Sequence, residues 1–274
     1  MNSIPKKLGL IAGKGAYPLL LADSARAQGA EKICAVAFRG ETSREIEQLA
    51  DEVRWIHVGQ LIEPIEFFKS LRVDGCVMAG QITPRNIFNL RLDALSRKLM
   101  KQLGARHAHS IFGAIVDEFE NNGLPILASC QFMEKHMPEA GLLTKRAPDE
   151  REQADIEVGL KVARAISDYD VGQSVAVKDG VILTVEDFDG TNKMLRRAGK
   201  IGGPGAVLVK VAKTGHDMRF DIPIIGTQTL KVLKKIKATA IALEAGRAII
   251  LEKEKVIEMA DALNLTILVV DRPE

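Results

Sequence analysis

The chain has 274 residues, enough for two domains of ordinary size. Hydrophobic residues make up 46% and charged residues 27%, which places it among solvated globular proteins rather than disordered ones. A net charge of +2 and an aromatic content of 4% exclude electrostatic and stacking arguments for nucleic-acid binding.

The opening MNSIPKKLGLIAGKG has two lysines and a short apolar run that glycine and lysine interrupt at once. It reads as neither a signal peptide nor a membrane span. Residues 8–12 (LGLIA) read as a strand, and Pro18 opens a helical pattern. Strands follow at 32–38 (KICAVAF) and 52–58, a helix at 61–72, and a buried strand at 74–80 (DGCVMAG). A helix at 111–123 ends in asparagines and glycine, and 125–130 (PILASC) reads as another strand. Strand–helix alternation with apolar strands predicts a parallel, Rossmann-like sheet covered on both faces. Cys34, Cys76 and Cys130 lie in apolar runs and read as reduced core residues.

Residues 133–152 carry prolines, a glycine and many charges, and read as an interdomain linker, or as a linker plus a docking loop. Beyond them a helix covers 155–168, and 174–187 reads as two strands joined by a tight Lys-Asp-Gly turn. Helices are expected at 192–201, 226–238 and 256–264. Strands are expected at 205–213, 239–245, 248–253 and 265–271. This is a second α/β domain.

Gly13, Lys14 and Gly15 stand between the first strand and its helix. Glycines there let a backbone approach a ligand, and the helix start presents N–H groups to an anion. Pro18 occupies the place of the third glycine of a dinucleotide fingerprint, and no GxxxxGK[ST] loop occurs. A tight turn is the competing reading. Asp170 and Gln173 precede the first strand of the second domain, where Gln173 is either a ligand contact or part of a polar turn. Residues 186–192 (EDFDGTN) end a strand in acids, and Thr191 or Asn192 is expected to cap the next helix. Glu186 and Asp189 facing a helix start make a candidate Mg²⁺ and phosphate site, with Arg196 and Arg197 available for phosphate. The alternative is a capped helix with solvated arginines. In residues 217–226 (DMRFDIPIIG), Arg219 and Asp221 stand at i, i+2, so an extended segment would point both the same way. Asp221 is a candidate metal ligand or general base there, against a structural Arg–Asp pair. Glu244 begins a turn between two apolar strands. His107 and His109 alone are weak evidence for a metal. No Gly-x-Ser-x-Gly elbow occurs, and the polar vocabulary suits phosphate chemistry with a hard divalent cation.

Seven stretches carry a resemblance: LGLIAGKGAYPLLLA at the start, CVMAGQITP (76–84), the helix start at Asp155 and Ile156, DVGQSVAVKDGVILTVED (170–187), DGTNKMLRR (189–197), DMRFDIPIIG (217–226) and LEAGR (243–247). In this order they span nearly the whole chain and resemble the UDP-2,3-diacylglucosamine pyrophosphatases of the two-domain type, a family distinct from the calcineurin-like phosphoesterases. The resemblance implies Mg²⁺-dependent hydrolysis of UDP-2,3-diacylglucosamine to 2,3-diacylglucosamine 1-phosphate (lipid X) and UMP, a step of lipid A biosynthesis. On the residue pattern the expected division is a Rossmann-like domain at 1–133, a linker at 134–151 and a smaller α/β catalytic domain at 152–274, and the resemblance implies that ligand binds in the cleft between the two domains. It ties catalysis to Asp221, as metal ligand or as the group that orients water. Expected substrate contacts are Gly13, Gly15, Gln81, Gln173, Thr191, Asn192, Arg196, Lys213, Arg219 and Glu244. Glu186 and Asp189 join Asp221 as expected metal ligands. Asn192 stands where the family often has an acid, and Thr214-Gly215-His216 replaces a proline and glutamine, so His216 is given no role.

A cytoplasmic protein is expected, meeting its lipid at the inner-membrane surface, binding no nucleic acid, with a homodimer as the working oligomeric state. Two other classes stay open: a binder of nucleotide sugar or acyl lipid that cleaves nothing, and a nicotinamide-dependent oxidoreductase. The imperfect glycine pattern and the lack of an acid ending the 32–38 strand argue against the oxidoreductase.

Overall fold

The apolar runs of the first half fold into parallel strands. The computed structural model describes residues 4–83, 91–103, 108–213, 215, 217–220 and 222–271, the side chains at 108 and 109 excepted. Two units of comparable length result: Met1–Met133 with Asp217–Asp221, and Glu134–His216 with Ile222–Glu274.

In the first unit, β1 (Lys7–Ala12), β2 (Lys32–Phe38), β3 (Glu52–Ile56) and β4 (Gly75–Ala79) form a parallel sheet in the order β3-β2-β1-β4. Strands β1, β2 and β4 are buried along almost their whole length, as a sheet covered on both faces requires. The described helices are α1 (Tyr17–Ala27), α2 (Ile46–Leu49), α3 (Ile62–Leu71), α4 (Ala94–Gln102) and α5 (Ala108–Asn121). The sequence reading missed α2 and α4. Phe68 of α3 and Phe119 of α5 anchor a core that takes in Cys34, Cys76 and Val116. Burial pushes the Cys34 and Cys76 thiols up and keeps them protonated, while Cys130 is only half-buried.

Residues 125–130 do not make the expected strand. Pro125 has no N–H to donate, and only Ile126 bridges to Cys76, through Cys76 N–H to Pro125 O (2.8 Å) and Leu127 N–H to Cys76 O (2.7 Å). The chain then turns, and Ser129 N–H donates to Met218 O instead, at 2.8 Å.

The second unit holds β5 (Gly141–Leu142), α6 (Glu150–Asp168), β6 (Ser174–Lys178), β7 (Val181–Val185), α7 (Thr191–Gly202), β8 (Val207–Lys210), β9 (Ile224–Ile225), α8 (Thr227–Ile236), β10 (Ala240–Glu244), β11 (Ile249–Ile250), α9 (Lys253–Ala262) and β12 (Thr266–Val270). Its six-stranded sheet runs β5-β12-β10-β8-β6-β7, with β12, β10 and β8 parallel and the rest antiparallel. Strands β9 and β11 form a separate parallel pair. One face of the large sheet packs on α7, α8 and α9 through Met194, Leu233 and Val256, and the other on α6 through Ile156 and Ala163. The Lys-Asp-Gly turn has positive φ at Asp179 (51°) and Gly180 (76°), the pair that a tight hairpin demands.

The stretch expected as a linker is part of this second unit. Leu142 pairs with Leu268 on β12, Lys145 N–H donates to Asp261 Oδ1 at 2.8 Å, and Arg146 lies 2.8 Å from the buried Glu152. A capping box between Asp149 and Glu152 starts α6 five residues before the expected helix. Polar composition alone looked like a connector because the partners of Leu142 and Lys145 lie more than a hundred positions downstream.

Helix α6 meets the sheet at Gly159, where an added Cβ would fall 2.4 Å from Val209 Cγ2 and 3.1 Å from Val177 Cγ2. Helix propensity alone would make Gly159→Ala stabilising by about 1 kcal/mol. Both facing valines are β-branched and buried, so overpacking should win and Gly159→Ala should destabilise by about 1–3 kcal/mol. The sign is read from the urea midpoint.

Candidate functional site

In the first unit β1 lies between β2 and β4, so the loops after β1 and β4 meet where the strand order reverses, the place where open α/β sheets bind ligands. Lys14 N–H donates to Gln81 O at 2.7 Å and Gln81 N–H returns to Lys14 O at 3.2 Å. This crossing explains Gly13: a Cβ there would sit 2.7 Å from Gln81 O. Gly15 differs, with φ at +98° and open space around the missing Cβ. Of the two expected contacts, Gly13 serves the crossing and Gly15 leaves backbone accessible. Lys14 Nζ reaches Thr83 Oγ1 at 3.4 Å, and Glu41 accepts from Thr83 N–H (3.0 Å) and Oγ1 (2.8 Å).

In the second unit the polar centre is a residue that the sequence reading took for ordinary strand. Lys210 ends β8, which is flanked by β10 and β6, and is 5% exposed. Its Nζ donates to Ser174 Oγ (3.0 Å), Thr191 Oγ1 (3.1 Å) and Glu186 Oε2 (3.3 Å), so all three ammonium protons are used. Thr191 Oγ1 donates to Glu186 Oε1 at 2.6 Å and closes the ring. Burial pushes the Glu186 carboxyl up, but the charge of Lys210 and the hydroxyls of Ser174 and Thr191 more than offset it and hold the group below its ordinary value. The detectable signal was a lysine inside the apolar run 205–213.

This network fixes the start of α7. Gly190, at φ +82°, precedes the helix, and no side chain caps it, contrary to the expectation for Thr191 or Asn192. Thr191 spends its hydroxyl on Glu186, and an uncapped helix start leaves N–H groups for an anion. Asn192 Oδ1 is buried with no hydrogen-bond partner among the described residues. Gln173 is held beside Glu186, its N–H 3.4 Å from Glu186 Oε2 and its carbonyl accepting from Val211 N–H at 2.9 Å. Lys213 pairs with Asp170 at 2.7 Å.

Other expected site residues are occupied differently. Glu244 is buried, with Arg164 Nε donating to Oε1 at 2.9 Å and Ala212 N–H to Oε2 at 3.1 Å, which ties β10 to α6 and to the end of β8. Arg219 does not lie in an extended segment. Residues 217–220 turn, Phe220 N–H donates to Asp217 O at 3.2 Å, and the Arg219 guanidinium pairs with Asp217 (2.7 Å) and Glu120 (2.7 Å). Arg196 is exposed, and Arg197 pairs with Asp187 at 2.8 Å. Asp221, Thr214, His216, His107 and the side chain of His109 lie outside the described residues.

The described acids do not form a cradle for Mg²⁺. Asp189 pairs with Lys193 at 2.8 Å, and a cation at Glu186 would have to displace Lys210. Among the described residues no three His, Cys, Asp or Glu side chains converge. Glu186 is therefore engaged as the counter-ion of Lys210.

Comparison with known proteins bears on both units. Residues 7–136 match the LpxI N-terminal domain and residues 139–268 the LpxI C-terminal domain. The chain belongs to the LpxI family. UDP-2,3-diacylglucosamine pyrophosphatase LpxI of Caulobacter vibrioides is 33% identical over 286 aligned positions, which cover 98% of this chain and 99% of that protein. No helix among the described residues of this LpxI-family chain is long and apolar enough to cross a membrane.

Two outcomes follow from the Lys210 network. Lys210→Met leaves the Glu186 carboxylate buried and uncompensated and should cost about 3–5 kcal/mol, measured by urea unfolding at neutral pH. Folding lowers the Glu186 pKa, so its contribution is complete above the ordinary carboxylate value and is lost as pH falls through the lowered one. The stability gap between wild type and Glu186→Gln should accordingly narrow from about pH 7 to about pH 3, and a gap that widens toward acid would contradict the assignment.

Proposed function

We propose that this chain hydrolyses the pyrophosphate bond of UDP-2,3-diacylglucosamine, giving 2,3-diacylglucosamine 1-phosphate (lipid X) and UMP in lipid A biosynthesis. The observation that carries the reading is the end-to-end identity to the Caulobacter protein of that name. The two family domains, in order along the chain, support it.

The reaction adds water across a phosphoanhydride. Water attacks one phosphorus, the bridging P–O bond breaks, and the second phosphate leaves. Such chemistry needs positioning and charge neutralisation more than covalent help. We assign the uncapped start of α7, Asn192 and Lys213 to phosphate and sugar oxygens. The accessible backbone at Gly15 is assigned to another part of the ligand. Asp221 is proposed to take the proton of the attacking water or to hold a cation. Mg²⁺ is proposed as the cation, and its chemistry would be to offset charge on the phosphate oxygens. The acylated substrate resides in a bilayer, so the chain is proposed to meet it at the membrane surface.

The test incubates purified protein with UDP-2,3-diacylglucosamine and Mg²⁺, beside a chelator control and Asp221→Ala. UMP and lipid X should form with wild type and metal, vanish with chelator, and fall by several powers of ten in a folded Asp221→Ala. A folded, metal-replete wild type that binds the lipid but releases no UMP would make this a binding protein.

A further inference from the structure

Helices α7 and α8 carry seven cations and no acid, four in α7 and three in α8. The whole chain is only +2, so this charge is concentrated. In α7, Lys193, Arg196, Arg197 and Lys200 stand at i, i+3, i+4 and i+7; in α8, Lys231, Lys234 and Lys235 stand at i, i+3 and i+4. Those spacings put each set on one helix face. The opposite faces hold Met194, Leu195 and Ala198 in α7 and Leu230 and Leu233 in α8, all buried in the core beneath the helices. The two helices pack closely, since a Cβ on Gly199 would fall 2.4 Å from Ile236 Cγ2. Their exposed faces therefore form one basic surface turned away from the sheet. Helix α9, on the same side of the sheet, mixes lysines with Glu254, Glu258 and Asp261 and ends that surface.

Helix dipoles explain part of this charge. Lys200, Lys234 and Lys235 sit in last turns, where cations are favoured, but the same effect asks for acids in the first turns, and neither helix has one there. Local pairing explains another part: Lys193 reaches Asp189 and Arg197 reaches Asp187, each at 2.8 Å, and Lys231 acts on Glu252. Arg196, Lys200, Lys234 and Lys235 are exposed and meet no described acid within ion-pair distance. The end of α7 adds apolar surface. Ile201 is 66% exposed beside Lys200. Lys178 of the β6–β7 hairpin donates to Gly202 O at 2.7 Å, and Val181, paired with Lys178, is 60% exposed. Exposed aliphatic side chains beside unpaired cations suit a lipid surface, where cations meet anionic headgroups and apolar groups enter the acyl boundary. Nucleic acid fits less well, because neither helix has an aromatic side chain to stack on bases. We propose that the α7–α8 face docks this chain on an anionic bilayer. The inference deepens the reading that the chain meets its lipid at a membrane surface, and rests on it.

The experiment sediments the full chain with phosphatidylcholine vesicles and with phosphatidylcholine–phosphatidylglycerol vesicles, at low and high salt. Wild type should pellet with the anionic vesicles only, and high salt should release most of it. Each lysine near an anionic surface is worth about fivefold in partitioning, so Lys200→Gln/Lys234→Gln/Lys235→Gln should lose about a hundredfold. Ile201→Ser should lose about tenfold. Arg97→Gln/Lys98→Gln/Lys101→Gln in α4 removes the same charge from the first unit and should stay within about twofold of wild type. All these side chains are exposed, so every variant should keep the wild-type Tm. On UDP-2,3-diacylglucosamine dispersed in detergent the α7–α8 variant should keep wild-type kcat, and on substrate carried in anionic vesicles its rate should fall with its binding. Wild-type binding by the α7–α8 variant, an equal loss in the α4 variant, or capture of a single-stranded oligonucleotide in place of vesicles would overturn the proposal. Hydrolysis in detergent without vesicle binding would overturn it alone. Vesicle binding without hydrolysis in either phase would overturn the assigned reaction and leave the docking standing.

Discussion

An ammonium on an internal strand must find an anion without leaving the sheet. Lys210 ends β8 between β10 and β6, and it is almost fully buried. Left unpaired there, the charge would cost several kcal/mol or be given up. The chain answers with three acceptors from separate places: Ser174 at the start of β6, Glu186 after β7, and Thr191 at the first turn of α7. Satisfying one side chain thus sets where a hairpin begins, where it ends and where the following helix starts. Gly172 belongs to the same arrangement, because a Cβ there would fall 2.5 Å from Glu186 O. Of the expected site residues, Glu186, Thr191 and Gln173 owe their neighbourhood to the lysine that the sequence reading passed over.

The same pairing logic decides the electrostatics. Glu186 faces Lys210, Glu244 faces Arg164, Asp170 faces Lys213, and Asp189 faces Lys193. Each acid near the end of this sheet is neutralised locally, so the described side chains offer a doubly charged phosphate ester little net attraction. What remains is directional: the helix dipole and N–H groups at the start of α7. A site so balanced repels phosphate little and attracts it little.

The parts legible in the sequence are those whose partners are near or whose burial is complete. The run 32–38 announced β2 to the residue, because a strand covered on both faces must be apolar throughout. Lys-Asp-Gly announced its hairpin because the turn needs two positive φ angles. Legibility failed where a distant partner decides. Leu142 is 43% exposed and joins the sheet only through β12. Residues 125–130 had a strand's composition, but Pro125 and the diversion of Ser129 toward Met218 removed the ladder. At Arg219 the i, i+2 pattern assumed an extended chain, whereas a local turn swung the guanidinium back to Asp217.

Residues 217–221 sharpen the point about domains. They stand in sequence between strands of the second unit yet belong to the first. Local pattern divides a chain at composition shifts, so it yields contiguous domains and placed this stretch wholly in the second half. The contacts say otherwise. Phe220 has a stacking partner on α5, Arg219 has a carboxylate on α5, and both carbonyls before Phe220 have donors on Ser129. None of these partners is closer than about ninety positions, far beyond any periodicity window. A segment lent in this way is short, irregular and polar, and in sequence it resembles a surface loop. The contacts that hold residues 217–220 belong to the fold rather than to any motif.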